Sequence, residues 1–253
     1  MVSIDKFYVI HCIENKERLY NIEYQKQHNK LLNDKLEIYW TCYFPFSDVA
    51  SNALLLSNKS RYISNKSEYN LCREFYRIIK LAYESGLNSI CIFEDDFSVI
   101  NEEEFNKFFD LIPEDFDIIQ LSYLFSKDMG DYNKLFNEYK SGNLWMKKTF
   151  GAWSNNGIIL SRNGMKYFID SINKEFQAAD IPIHESKNNM RYYGKTNQAK
   201  LLNHYIPTYP IIYVDGIDST VQNSNDKSKK LIYELYSKYI DKTKYNMYKK
   251  EEV

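Results

Sequence analysis

Residues 67–96 constrain the fold more than any other stretch of this chain. Ser67 reads as a helix N-cap, and Leu71, Phe75, Ile78, Ile79, Ala82 and Tyr83 follow at helical spacing. Gly86 supplies the residue that a left-handed helix stop requires. The short apolar run Ile90-Cys91-Ile92-Phe93 then reads as a buried strand, and it ends abruptly in Glu94-Asp95-Asp96. A helix that feeds a buried strand is the second half of a parallel crossover. In open α/β sheets, ligands gather outside the carboxyl ends of the strands, which is where these three carboxylates fall. If the strand continues through them, Glu94 and Asp96 point one way and Asp95 the other. Oxygen ligands so placed suit a hard divalent cation. The same residues can equally form a solvated acidic turn.

The flanking segments extend the alternation. Phe7 to Cys12 is a compact apolar strand, and Asn15 to Leu32 a mostly polar surface helix. Leu36 to Phe44 is rich in β-formers and is closed by Pro45. Asn101 with Glu104 makes a capping-box pattern, followed by the apolar face Phe105, Phe108, Phe109 and Ile112. Pro113 ends that helix, and Asp117 to Leu121 is a further short strand. Strand, helix, strand, helix, strand predicts an α/β domain with a mainly parallel sheet flanked by helices.

The second half is less regular. Residues 126–148 read as a long polar loop with a short helix, the kind of loop that is often functional. Gly151-Ala-Trp153 leads through Asn156-Gly157 into the strand Ile158-Ile-Leu160, and Ser161 caps a helix with Met165, Phe168, Ile169 and Ile172 on one face. Tyr209 to Val214 reads as the last strand. From Asp226 the chain is rich in Lys and Tyr. It reads as a basic amphipathic helical tail, residues 226–253, appended to a domain of residues 1–225. Such a tail could rest on an anionic membrane face or simply pack as a terminal helix. It is expected to be dispensable for ligand binding at the acidic motif.

Composition narrows the function classes. The 253 residues carry a formal net charge of −1, and no basic block interleaves with aromatics, so nucleic acid is not an expected partner. Cys12, Cys42, Cys72 and Cys91 have no zinc-motif spacing and read as reduced thiols in a cytoplasmic protein. No signal-peptide pattern opens the chain, and no apolar run approaches the roughly 18 residues of a membrane span. Glycine is scarce, at 8 residues, and no phosphate-loop pattern occurs. That lowers, without removing, the alternative of a metal-dependent nucleotidyl- or phosphotransferase.

In the order and spacing of four segments, the chain resembles glycosyltransferase family 25, the lipooligosaccharide and collagen galactosyltransferases. The segments are Phe7-Tyr-Val-Ile-His11 with Arg18; Tyr76 to Gly86 running on to Phe93-Glu94-Asp95-Asp96; Asp117-Ile-Ile-Gln-Leu-Ser122 followed by Gly151 to Arg162; and Ala179-Asp180 followed by Tyr209 to Tyr213 and Asp218-Ser219. The family's Gly-Cys and Ser-His signature is replaced here by Ser67-Glu-Tyr-Asn-Leu-Cys72. The resemblance implies a single GT-A-like domain, Rossmann-like in its sheet, and inverting transfer of a hexose, galactose first, from a UDP-sugar to a glycan or glycolipid acceptor. It implies Mn²⁺ or Mg²⁺ as cofactor, with Asp96 the main ligand and Glu94 beside it or near the donor ribose. His11, Arg18, Glu94 and Asp95 would contact the nucleotide donor, and Trp153 could stack on the acceptor sugar; read without the resemblance, His11 is a structural histidine, Arg18 a solvated helix residue and Trp153 core filler. Asp180 matches the late aspartate and would be the general base; read without the resemblance, it is a turn residue before Ile-Pro. Asp128 and Asp131 are rivals for the base, and Asp215 and Asp218 could complete a metal shell. A non-catalytic binding protein with the same fold stays open.

Overall fold

The structure is a computed structural model that describes residues 3–41, 66–123, 132–148, 156–174, 202–213 and 238–248. The opening strand is β1 (Lys6–Cys12), followed by α1 (Lys16–Gln27), α2 (Lys30–Lys35) and β2 (Leu36–Thr41). Then come α3 (Lys66–Glu84), β3 (Ser89–Glu94), β4 (Ser98–Val99), α4 (Glu102–Asp110) and β5 (Ile118–Gln120). The remainder is α5 (Tyr132–Lys140), β6 (Trp145–Lys147), β7 (Gly157–Ser161), α6 (Arg162–Lys174), β8 (His204–Pro207), β9 (Ile212–Tyr213) and a single 3-10 turn (Lys242–Lys244).

Among the described residues one sheet has seven strands in the order β2-β1-β3-β7-β5-β8-β6. Strands β2, β1, β3, β5 and β8 run one way, and β7 and β6 run against them. The sheet is therefore mixed, with a parallel majority, and helices cover both faces. Alternation along the strands sorts the core into two clusters. Phe7, Val9, Cys91, Phe93, Ile119 and Ile159 face α1, α2, α4 and α5, meeting Ile22, Leu32, Phe105, Phe108 and Leu135. Tyr8, Ile10, Ile90, Ile92, Ile118 and Ile158 face α3 and α6, meeting Phe75, Ile78, Ile79, Met165 and Phe168.

The unit that the sequence marks most clearly forms as expected at its end. Gly86 has φ +81°, Leu87 N–H donates to Ala82 C=O at 3.1 Å, and Gly86 N–H to Tyr83 C=O at 3.1 Å. Those two bonds satisfy the last carbonyls of α3 and turn the chain directly into β3. At its start, α3 is already helical at Lys66, so Ser67 lies inside the first turn rather than at the cap. Ser161 does cap α6, accepting from Gly164 N–H at 3.2 Å. Gly164 is required there for space: a Cβ would lie 2.1 Å from the Asp117 carbonyl oxygen, so α6 seats directly on the start of β5.

Four expectations need correction. The single helix over 15–32 is two helices, because Asn29 starts a second one, its side chain accepting from Leu32 N–H at 3.1 Å. The capping box at α4 is only half made. Asn101 accepts from Glu104 N–H at 3.1 Å, but Asn101 N–H goes to Lys244 C=O and Glu104 takes the Tyr139 hydroxyl. The strand expected over 209–214 contains only β9, which pairs with β4 in a separate two-stranded sheet, while the seven-stranded sheet takes β8. Finally, of the tail expected to be helical from 226, residues 226–237 lie outside the described residues, 238–239 are helical, and 241–248 form a 3-10 turn and an extended run docked on the domain. Tyr245 is buried and bridges to Ile100, and Asn246 N–H donates to Val99 C=O at 2.9 Å.

Candidate functional site at the carboxyl edge of the sheet

Strands β2, β1 and β3 are neighbours and parallel, so their carboxyl ends share one edge. There β3 stops at Glu94 and the chain turns through Asp95 and Asp96. The turn breaks the strand alternation. Asp95 and Asp96 do not point to opposite sides; both carboxylates reach the same guanidinium, that of Arg18 in the first turns of α1. Arg18 Nη1 donates to Asp95 Oδ1, and Arg18 Nη2 lies 3.6 Å from Asp96 Oδ2.

Asp95 is the hub. Its Oδ2 accepts from His11 Nδ1 at 2.9 Å and from Cys12 N–H at 3.3 Å, so it ties β1, the turn after β3 and α1 together. Burial by itself would raise its pKa, but the hydrogen bond from His11, the charge and hydrogen bond of Arg18 and the Cys12 N–H together hold it below the usual carboxylate value. An ionised carboxylate only accepts, so His11 carries its proton on Nδ1. His11 is fully buried, and its Nε2 has no hydrogen-bond partner among the described residues.

Asp96 has a different environment. Burial raises its pKa, the Asp95 charge adds to that, and Arg18 and the Asn156 Nδ2 donor at 3.2 Å only partly offset them. It nevertheless keeps 20 % of its side-chain surface. Arg18 is held firmly cationic. Burial works against its charge, but Asp96, Asp95 and Glu94 together raise its pKa. Asn156 also fixes the end of β3 through its backbone, accepting from Glu94 N–H at 3.1 Å.

The inner side of α1 continues this grip as a polar ladder that sequence reading missed. Arg18, Asn21 and Gln25 recur at helical spacing and face the segment 95–99. Asn21 Nδ2 donates to Phe97 C=O at 2.8 Å. Gln25 is buried, accepts from Val99 N–H at 3.1 Å and donates to Asn21 Oδ1 at 3.1 Å and Asn246 C=O at 2.6 Å. The sequence signal was available in the polar i, i+3, i+7 spacing, but it looks the same as a solvated helix face.

No protein-family model matches the chain, and no curated protein does. The geometry therefore carries the reading of this site. The structure brings His11, Arg18, Glu94, Asp95 and Asp96 to one edge of the sheet. His11 and Asp95 are buried supports for Arg18 and the turn. Asp180, Trp153, Asp128, Asp131, Asp215 and Asp218 lie outside the described residues. Among the described residues no group of three or more His, Cys, Asp or Glu could hold a metal ion. The carboxylate oxygens of Asp96, 20 % exposed, are donors of the kind a Mg²⁺-type cation takes beside substrate phosphates and water rather than in an all-protein cage. Among the described residues no helix is long and apolar enough to cross a membrane.

A second buried charge lies elsewhere, at the far side of the sheet. Lys148, next to the end of β6, is fully buried; its Nζ donates to Gln120 Oε1 and its N–H to His204 C=O at 2.8 Å. Burial lowers its pKa to about 7. Nothing in the sequence distinguishes this lysine from its exposed neighbour Lys147.

Proposed function

We propose that this chain is an inverting glycosyltransferase of the GT-A type, similar to family 25, moving a hexose from a UDP-sugar to a glycan or glycolipid acceptor. The observation that carries the reading is the acidic turn at the carboxyl edge of three parallel strands, gripped by one arginine, with Asp96 left partly open. Among the described residues, Glu94, Asp95 and Asp96 outnumber the one cation in contact with the turn, Arg18, so the edge favours a further cation over a bare phosphate. A Mn²⁺ or Mg²⁺ ion held by Asp96 and Glu94 would act as a Lewis acid toward a departing diphosphate. Arg18, locked by Asp95, presents a fixed charge beside it and needs no reorganisation as negative charge develops. The acceptor hydroxyl needs a separate base, since charge stabilisation at the leaving group does nothing for the incoming proton. Asp180 is assigned that role from the resemblance, and Trp153 the acceptor platform.

Calorimetry of UDP binding with Mn²⁺ and with EDTA tests the reading. The expected result is affinity that depends on Mn²⁺ and is lost in Asp96→Asn, while Asp180→Asn keeps it and loses transfer by about 10²–10⁴. Equal UDP affinity of the unmutated protein in Mn²⁺ and in EDTA overturns it.

A further inference from the structure

Trp40 is the penultimate residue of β2 and stands opposite His11 in the β1–β2 register. It therefore shares a sheet face with His11, at the same carboxyl edge as Arg18 and the acidic turn. Toward the sheet centre that row contains the packed side chains Leu36 and Ile38. At the edge Trp40 is 51 % exposed. Its indole contacts the His11 ring edge-on, with centroids 5.2 Å apart and planes at 70°. Such a contact uses at most one of the indole's two faces. The neighbouring rim residue is also apolar and open: Ile13, whose N–H donates to Thr41 C=O at 2.9 Å, is 56 % exposed. Trp145, in contrast, is half-buried and its indole N–H is bonded to Phe108 C=O at 3.2 Å.

We propose that Trp40 is the platform on which the planar base of a nucleoside diphosphate stacks, with Arg18 and Asp96 taking the phosphate end. The inference rests on the function proposed above and adds the base-binding part of the same site. Two features favour this occupant over an apolar peptide or a lone sugar. The exposed indole meets the charged turn through His11, so the edge suits a ligand that is flat and apolar at one end and highly charged at the other. The indole and the charged end are also tied rigidly: Trp40 rests on His11, His11 is bonded to Asp95, and Asp95 holds Arg18. A single carboxylate thus sets the spacing between the ring platform and the cation, as recognition of a ligand of fixed length requires.

Binding of UDP and of inorganic pyrophosphate, each with Mn²⁺, is measured by calorimetry for the full chain and for Trp40→Ala and Trp40→Phe. Base–aromatic stacking predicts that Trp40→Ala weakens UDP about tenfold or more while pyrophosphate affinity is unchanged. Trp40→Phe should retain most of the UDP affinity, because it keeps an aromatic face. If Trp40→Ala binds UDP as the unmutated protein does, the platform is wrong and the metal–diphosphate reading stands. If both ligands weaken equally, Trp40 supports the site without touching the base, and the inference fails. If the unmutated protein binds neither ligand with Mn²⁺, the proposed function fails and this inference with it.

Discussion

Gln25 offers the sharpest test of how the acidic edge is built. Its amide uses both ends at once: the oxygen accepts from Val99 N–H, and the nitrogen donates to Asn246 C=O and Asn21 Oδ1. Gln25→Ala removes all three contacts and orphans a buried backbone N–H in β4. An unsatisfied buried donor costs about 1–3 kcal/mol, and the lost packing and the second broken backbone bond bring the total to about 3 kcal/mol. In a domain of this size that is a fall in Tm of about 6–12 °C. Because the broken bonds join α1, the segment after the turn and residues 238–248, the effect should also be local. Hydrogen exchange at Val99 and Asn246 should accelerate more than in the β1–β3 core. Gln25→Glu separates the parts: it keeps the acceptor for Val99 and places a carboxylate oxygen against Asn246 C=O. Its exchange should rise at the docked C-terminal segment first. A Gln25→Ala protein within about 0.5 kcal/mol of the unmutated one would refute the reasoning, since that is the range of an ordinary surface substitution. The same ladder argues against treating the C-terminal segment as separable, because a truncation upstream of 238 removes a partner of Gln25.

Two further predictions concern buried charge. Asp95→Asn removes the charge shared by Arg18, His11 and the Cys12 N–H and should cost about 3 kcal/mol in urea unfolding at neutral pH, with Asp96 and Glu94 left as the counter-charges of Arg18. Since the folded pKa of Asp95 lies below its unfolded value, its contribution is present above about pH 4 and lost as pH falls through the lower folded value; Asp95→Asn should flatten that acid limb. Lys148 gives a slope of the same sign in a higher window: its folded pKa of about 7 lies below the ordinary 10.5, so the unfolded chain binds more protons in between and stability rises with pH from about 7 to about 10.5. Lys148→Met should remove this rise, read as urea midpoints that no longer separate at pH 7 and pH 9; a midpoint shift that persists places the titrating group elsewhere.

The legible parts of the fold were those with a local cause. The spacing of Phe75, Ile78, Ile79 and Ala82, the glycine at 86 and the apolar run to Phe93 each act within a few residues, and the structure keeps all of them. The parts that were misread depend on distant partners. β8 is only four residues long, and its place between β5 and β6 is decided by pairing with residues far away in sequence. Asn101 and Glu104 match a capping box, but Lys244 and Tyr139 compete successfully for their free groups. The acidic motif itself was visible, while its internal division of labour was not. That division arises from Arg18, 77 positions away from Asp95.

The division has a consequence for which carboxylate meets a ligand. Asp95 and Asp96 are adjacent and share one guanidinium, yet one is held below the ordinary carboxylate pKa and the other is pushed above it. A single positive charge cannot compensate both equally. Asp95 takes the direct hydrogen bond together with His11 and Cys12 N–H, so most of its acceptor capacity is used by the protein. Among the described residues Asp96 has Asn156, a backbone N–H and a guanidinium nitrogen 3.6 Å away, with Asp95 as a like charge beside it. A carboxylate left in that position gains more from a second cation than its neighbour does, because the cation relieves both the burial and the repulsion. The rigid Asp95 pair and the under-compensated Asp96 therefore work as one device. The first fixes the turn and the arginine, and the second is the group on the turn with an unmet electrostatic demand.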